Sequence, residues 1–221
     1  QWFFLSNMEG KEERIKKITA LYYSNPKVQD AILKFSKDRE VVPRYFEQFG
    51  KRPDSLQYLS EIMGLVKNGA TSFHASEEIW NDPLQISSEM SANELNDIRK
   101  CWDLLIDIDS SFLDLSKLLT KLIIIALKEH GIKNCNVKFS GNKGFHIIVS
   151  GNSFPTEFLG MKTKDKFPEW PRAICEYLMN YVRKDYNKKA REVMGDIETI
   201  KKRTNLSEEQ FLESKCPICG R

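Results

Sequence analysis

Apolar residues recur at helical spacing through Ile15, Ile18, Leu21 and Tyr22. After the Ser24-Asn25-Pro26 break they do so again through Val28, Ile32, Leu33 and Phe35. Two helices are predicted to open the chain. The stretch 39–53 mixes aromatics, Arg and Gly, and 56–66 returns to helical spacing before Asn68-Gly69 ends it. Residues 71–80 read as a short strand running into a turn at Asn81-Asp82-Pro83, and the polar stretch 87–96 as a linking turn or exposed helix.

From 102 to 109 the period changes to two. Trp102, Leu104, Ile106 and Ile108 fall on one face and Asp103, Leu105, Asp107 and Asp109 on the other, which predicts one strand. Phe112, Leu115, Leu119, Leu122, Ile123 and Ala126 then mark a helix closing near His130-Gly131. Strands are predicted over 136–140 and 145–150, joined by Gly141-Asn142-Lys143-Gly144 as a hairpin. Ile174, Tyr177, Leu178, Tyr181 and Val182, with Pro171 in the first turn, predict a further amphipathic helix.

A chain of 221 residues with 41% hydrophobic content builds its own core without a disulfide scaffold. The most apolar stretch, 118–127, is broken by Thr120 and Lys121 and falls short of the roughly 20 residues a bilayer crossing needs. Lys and Arg number 34 against 31 Asp and Glu, a net +3, so any contact with nucleic acid must be local. The odd count of five cysteines argues for a reducing, intracellular, cytoplasmic setting. The first residue is Gln1 and the last six are Cys216-Pro217-Ile218-Cys219-Gly220-Arg221, so the chain reads as cut at both ends.

Asp107 and Asp109 leave the same face of their strand with origins about 6.6 Å apart, at roughly 3.3 Å per residue. Carboxylates so spaced can flank divalent ions that activate phosphates. Taken alone, the pair reads more readily as the polar end of a strand, with Asp109 or Ser110 capping the next helix, than as a catalytic site. The hairpin is likewise ordinary turn chemistry when taken alone. Yet it sets Ser140, Lys143 and His146 beside glycines that let backbone approach an anion, and supplies a hydroxyl, an ammonium and an imidazole as donors. Together, an acidic pair and an anion-binding hairpin one helix later meet the needs of nucleotidyl transfer.

Asp107-Ile108-Asp109 followed by Ser140-Gly141-Asn142-Lys143-Gly144-Phe145-His146-Ile147 resembles the archaeo-eukaryotic primase small (catalytic) subunit. Arg39-Glu40 resembles the family's upstream Arg-Glu element, and Phe167-Pro168-Glu169-Trp170-Pro171-Arg172 the segment opening its later helix; the likeness spans residues 22–186. The resemblance implies a DNA primase or primase-polymerase making short primers from nucleoside triphosphates on a single-stranded DNA template; a large primase subunit is a candidate partner, and the sequence leaves open whether one is required. The resemblance implies Asp107 and Asp109 as catalytic ligands of Mg or Mn, and Ser140, Lys143, His146 and Arg39 as nucleotide-binding residues. Asn142 stands where the family often has a basic residue. The family's third metal-binding aspartate has no counterpart in 185–221 and is expected past Arg221.

Cys216 and Cys219 have the spacing of half a structural zinc site, and family members carry a zinc motif in this subunit. A redox dithiol shares that spacing, but no thioredoxin-type strand and helix surround it. The fold class expected is α+β. A mainly helical module over 1–100 is to pack on a small mixed or antiparallel, RNA-recognition-like sheet module with helices over 101–215. The active cleft is expected between them, and 216–221 begins the zinc motif. Two other functions fit the same residues: a catalytically inactive nucleotide- or nucleic-acid-binding module, and another Mg-dependent phosphodiester enzyme such as a nuclease.

Overall fold

A computed structural model describes residues 2–141 and 143–194. Its elements follow in chain order: helices α1 (Trp2–Tyr23) and α2 (Pro26–Ser36), strands β1 (Val41–Tyr45) and β2 (Gln48–Phe49), α3 (Leu59–Lys67), β3 (Ser72–Ala75), β4 (Glu78–Trp80), α4 (Ala92–Ile98), β5 (Arg99–Trp102) and β6 (Leu104–Ile108). Then come α5 (Leu113–Glu129), β7 (Asn136–Phe139), β8 (Phe145–Val149), the short strands β9 (Glu157–Phe158) and β10 (Met161–Lys162), and α6 (Glu169–Met194). The class is α+β, built on small sheets. Among the described residues no helix is long and apolar enough to cross a membrane.

The chain divides into two compact units. One holds Gln1–Leu104 and Ser150–Phe167, the other Leu105–Val149 and the chain from Pro168. The chain passes from the first unit to the second after Leu104, and 150–167 belongs with the first. Trp102 shows why. Its indole is 1% exposed, donates from Nε1 to the Thr163 carbonyl at 2.9 Å, and lies against the rings of Phe154 and Phe167 at 5.1 and 6.5 Å between centroids. Burying so large a ring, with its one polar atom satisfied, draws the returning segment over it.

Within the first unit, β1 pairs antiparallel with β2 on one side and β3 on the other, and Val41, Leu56 and Ile62 form a core closed by Tyr23, Ile32, Leu33, Leu65 and Phe73. The Asn25 side chain caps α2 by accepting from the Lys27 N–H at 3.0 Å, with Pro26 at the first helical position, as the break in the pattern predicts. The single strand expected over 71–80 is two, β3 on β1 and β4 on β5, because the chain changes sheets at Ser76, whose N–H donates to the Glu40 carbonyl.

The strand expected over 102–109 is also two, broken at Asp103. Its carboxylate is buried, accepting from Arg39 Nη2 at 2.5 Å and from the Gly151 N–H at 2.8 Å, while its own N–H donates to the Glu77 carbonyl. The chain changes sheets here, β5 pairing with β4 and β6 with β8, and the two partners on the Asp103 carboxylate offset the cost of burying it. Glu77, beside it, has its carboxyl pushed up by burial and by the neighbouring Glu78 and Asp103 charges.

In the second unit a three-stranded sheet runs in the order β6-β8-β7. β7 and β8 form the predicted antiparallel hairpin, with Lys138 opposite His146 and Phe139 opposite Phe145. Ile106, Ile108, Ile147 and Val149 are buried, and α5 packs on β8 and α6. Ile123 and Ile147 are both 0% exposed, and full burial of such a side chain contributes about 1.5–3 kcal/mol. One face of the sheet is thereby fixed as core, and the alternate residues are turned outward.

Candidate active site on the three-stranded sheet

Alternation along β6 buries Ile106 and Ile108 and leaves Asp107 exposed between them. Asp109 follows just past the strand end, also exposed. No side chain caps α5, whose N-cap is Phe112, so the helix makes no use of Asp109. Ser110 acts locally instead: its Oγ accepts from the Phe112 N–H at 3.0 Å, turning the chain from strand to helix.

On β8 the same alternation buries Ile147 and turns His146 to the face that carries Asp107. His146 Nε2 lies 3.4 Å from Asp107 Oδ1. The hairpin turn is closed by the Ser140 N–H donating to the Gly144 carbonyl at 3.0 Å, and Gly141 takes the left-handed conformation at φ 103°. Lys143 is exposed on this turn.

Gly144 ties the turn to the acidic strand. A β-carbon at this position would meet the Ile108 carbonyl oxygen at 2.6 Å, Ser140 Oγ at 2.8 Å and Asp109 Oδ1 at 3.4 Å. Backbone therefore passes backbone with no room between, and the Ser140 hydroxyl and the Asp109 carboxylate flank the same point. Asp107, Asp109, Ser140 and His146 gather within one unit, beside the exposed Lys143.

Lys138 belongs to this face as well, although the sequence pattern did not single it out. It is the cross-strand partner of His146, and directly opposed residues project to the same side of a sheet. Its phase, two residues before Ser140, was the available signal. Asp107, His146 and Lys138 thus lie in a row across the three strands. The charge of this row changes sign along its length, with carboxylate at β6 and ammonium at β7.

Arg39 lies in the first unit and is 6% exposed. Nε donates to the Phe35 carbonyl, Nη1 to the carbonyls of Ser76 and Glu77, and Nη2 to Asp103, while the guanidinium also covers the Phe35 ring at 4.4 Å. Its donors are committed to its own unit. Glu40 is buried too and pairs with Arg52 through both carboxylate oxygens, at 2.9 and 2.5 Å. Cys216 and Cys219 lie outside the described residues.

Two exposed carboxylates at a strand end form a hard oxygen donor set that fits Mg or Mn, ions that keep several waters and need few protein ligands. Among the described residues no group of three or more His, Cys, Asp or Glu is placed to share an ion.

No protein-family model matches this chain. It is 41% identical over 119 residues to an uncharacterized protein of Methanocaldococcus jannaschii, a match taking in 53% of this chain and 26% of that protein. The chain thus matches about a quarter of the length of this curated relative.

A direct check of the turn-to-strand contact is Gly144→Ala. The added methyl meets a main-chain oxygen, which cannot rotate away, so the hairpin must shift and stability should fall by about 1–3 kcal/mol. Urea denaturation measures this, and an unchanged midpoint would mean that the turn does not abut Ile108.

Proposed function

We propose that the chain carries the catalytic sheet of a primase-type nucleotidyltransferase, which extends primers from nucleoside triphosphates on a single-stranded DNA template. The observation behind this reading is the convergence of the acidic strand end on the glycine-bounded turn, seen at Gly144 and at the His146–Asp107 approach. In this reading Asp107 and Asp109 hold Mg or Mn. The ion, when bound, neutralises charge on the reacting phosphates and lowers the pKa of the attacking hydroxyl.

The protein's own residues do the rest. Lys143 and His146 donate to phosphate oxygens, Ser140 adds a hydroxyl at the turn, and Lys138 extends the positive end of the row. The contact of Gly144 with Ile108 supports this reading, since a turn held against the acidic strand end lowers the reorganisation that electrostatic stabilisation would otherwise cost.

A second reading, a nucleotide-binding module without catalysis, is favoured by the lack of a third acidic neighbour among the described residues. A longer protein containing this chain separates the possibilities. With Mg or Mn, single-stranded DNA and nucleoside triphosphates, it should lengthen a labelled product. Binding of nucleotide without incorporation would establish the non-catalytic module, and shortening of the oligonucleotide without triphosphates would establish a nuclease. His146→Ala should raise the apparent KM for nucleotide about tenfold, the loss expected for one charge-assisted hydrogen bond. An unchanged KM would remove His146 from the binding set.

A further inference from the structure

The far edge of the catalytic sheet carries a second surface with a distinct chemistry. β7 is the terminal strand of the order β6-β8-β7, and each of its four residues is exposed. Val137 and Phe139 are large apolar side chains at 46% and 48% exposure. Natural sheet edges are commonly blunted by charge, proline or a bulge. Here the one charge, Lys138, projects with His146 to the opposite face, so the Val137 side of the edge stays apolar.

That side opens on a groove of about 370 Å³ between α5 and the hairpin. Its floor is Ile124, Ile125, Val137 and Phe145. Lys117, Lys121 and Lys128 of α5 also line it, and among the described residues no carboxylate does. Of these, Lys117 has an acidic neighbour, Asp114, at 3.6 Å on the same helix. A strand edge with no further strand on it among the described residues, an apolar trough and a lysine rim thus occur together, and each asks for a different property in whatever fills them: backbone hydrogen bonding, apolar side chains and negative charge.

We propose that this surface takes an extended acidic peptide segment of a partner protein, which adds to β7 as a fourth strand. Side chains at alternate positions of the peptide face α5. Central ones, apolar, enter the groove, and flanking carboxylates on the same face meet the lysines. The dimensions agree: Lys117 to Lys128 spans eleven residues of helix, about 16 Å, and seven strand residues span about 20 Å. A single-stranded nucleic acid would satisfy the lysines but would leave the strand edge unpaired and the aliphatic floor without a matching surface.

The test uses the whole chain and a fluorescein-labelled synthetic peptide, Glu-Thr-Ile-Thr-Val-Thr-Glu, read by anisotropy. Saturable binding is expected. Lys117→Glu with Lys121→Glu should weaken it about tenfold, as reversal of two rim charges predicts. A peptide with Lys at both ends should lose as much. A peptide N-methylated at alternate amides, on the edge facing β7, should not bind, since it keeps side chains and charge but cannot pair. Both lysines are exposed, and circular dichroism of the variant checks that it folds.

The proposal is overturned if no peptide binds at millimolar concentration, or if the methylated or Lys-ended peptide binds as well as the parent. Displacement by a single-stranded oligothymidylate with no effect of methylation would assign the groove to nucleic acid. A concentration-dependent dimer that the double charge reversal dissolves, without peptide binding, would assign it to a second copy of the chain.

Discussion

Asp107→Asn or Asp109→Asn, introduced into a longer protein that contains this chain, should abolish metal-dependent nucleotide incorporation while leaving the folding midpoint in place. The expected fall in rate is about a thousandfold or more, because losing an anionic ligand removes several kcal/mol of transition-state stabilisation and each 1.36 kcal/mol is a factor of ten. Stability should be unaffected for a structural reason. The Asp107 side chain is 65% exposed, Asp109 is exposed, and asparagine has nearly the same shape. Surface exchanges of this kind stay within about 0.5 kcal/mol. Primer-extension assays in Mg and in Mn, run beside thermal denaturation, provide both readings. Full incorporation by either variant would remove that carboxylate from the metal site, and a large loss of stability would show that the pair has a folding role instead.

The second large effect is expected in the first unit. Arg39→Ala should cost about 3–5 kcal/mol, the penalty of leaving the Asp103 carboxylate buried without its cation. That is a sizeable share of the 5–15 kcal/mol typical of a whole domain. Replacing both partners by apolar residues of similar volume, Arg39→Met with Asp103→Leu, should cost less than Arg39→Ala alone, because no charge is then stranded. Denaturant unfolding distinguishes this from direct nucleotide contact. A guanidinium holding nucleotide would change KM with little change in midpoint, whereas the internal pair changes the midpoint first.

The parts of the fold that were legible in the sequence are those written in local periodicity. The hairpin of β7 and β8, the helix α5 with its close at His130-Gly131, and the outward phase of Asp107 all follow from spacing over a few residues. The break at Asp103 does not. Alternation runs unbroken from Trp102 to Ile108, and the change of sheet at Asp103, whose carboxylate pairs with a guanidinium 64 positions earlier in the chain, is set by partners distant in sequence. The same holds for the return of 150–167 to the first unit, which depends on covering Trp102. Of the site, the acidic pair and the turn were legible from residue type. The contact that unites them was not, because Gly144 against Ile108 is a meeting of main chains, to which side-chain pattern is blind. The place of Lys138 on this face depends on hairpin register, and Lys in a strand otherwise reads as a solvated position.

The thread of the polypeptide crosses from one unit to the other after Leu104, comes back at Ser150 and leaves again after Phe167. Neither unit is therefore a contiguous stretch that a gene fragment can encode. A piece ending at 104 would strip Phe154, Thr163 and Phe167 from Trp102 and expose a sticky indole to water. Dissection of this molecule by truncation would give aggregation that reflects where the cut fell, and point substitution or an engineered linker bridging 104 to 150 is the sounder way to take the two units apart.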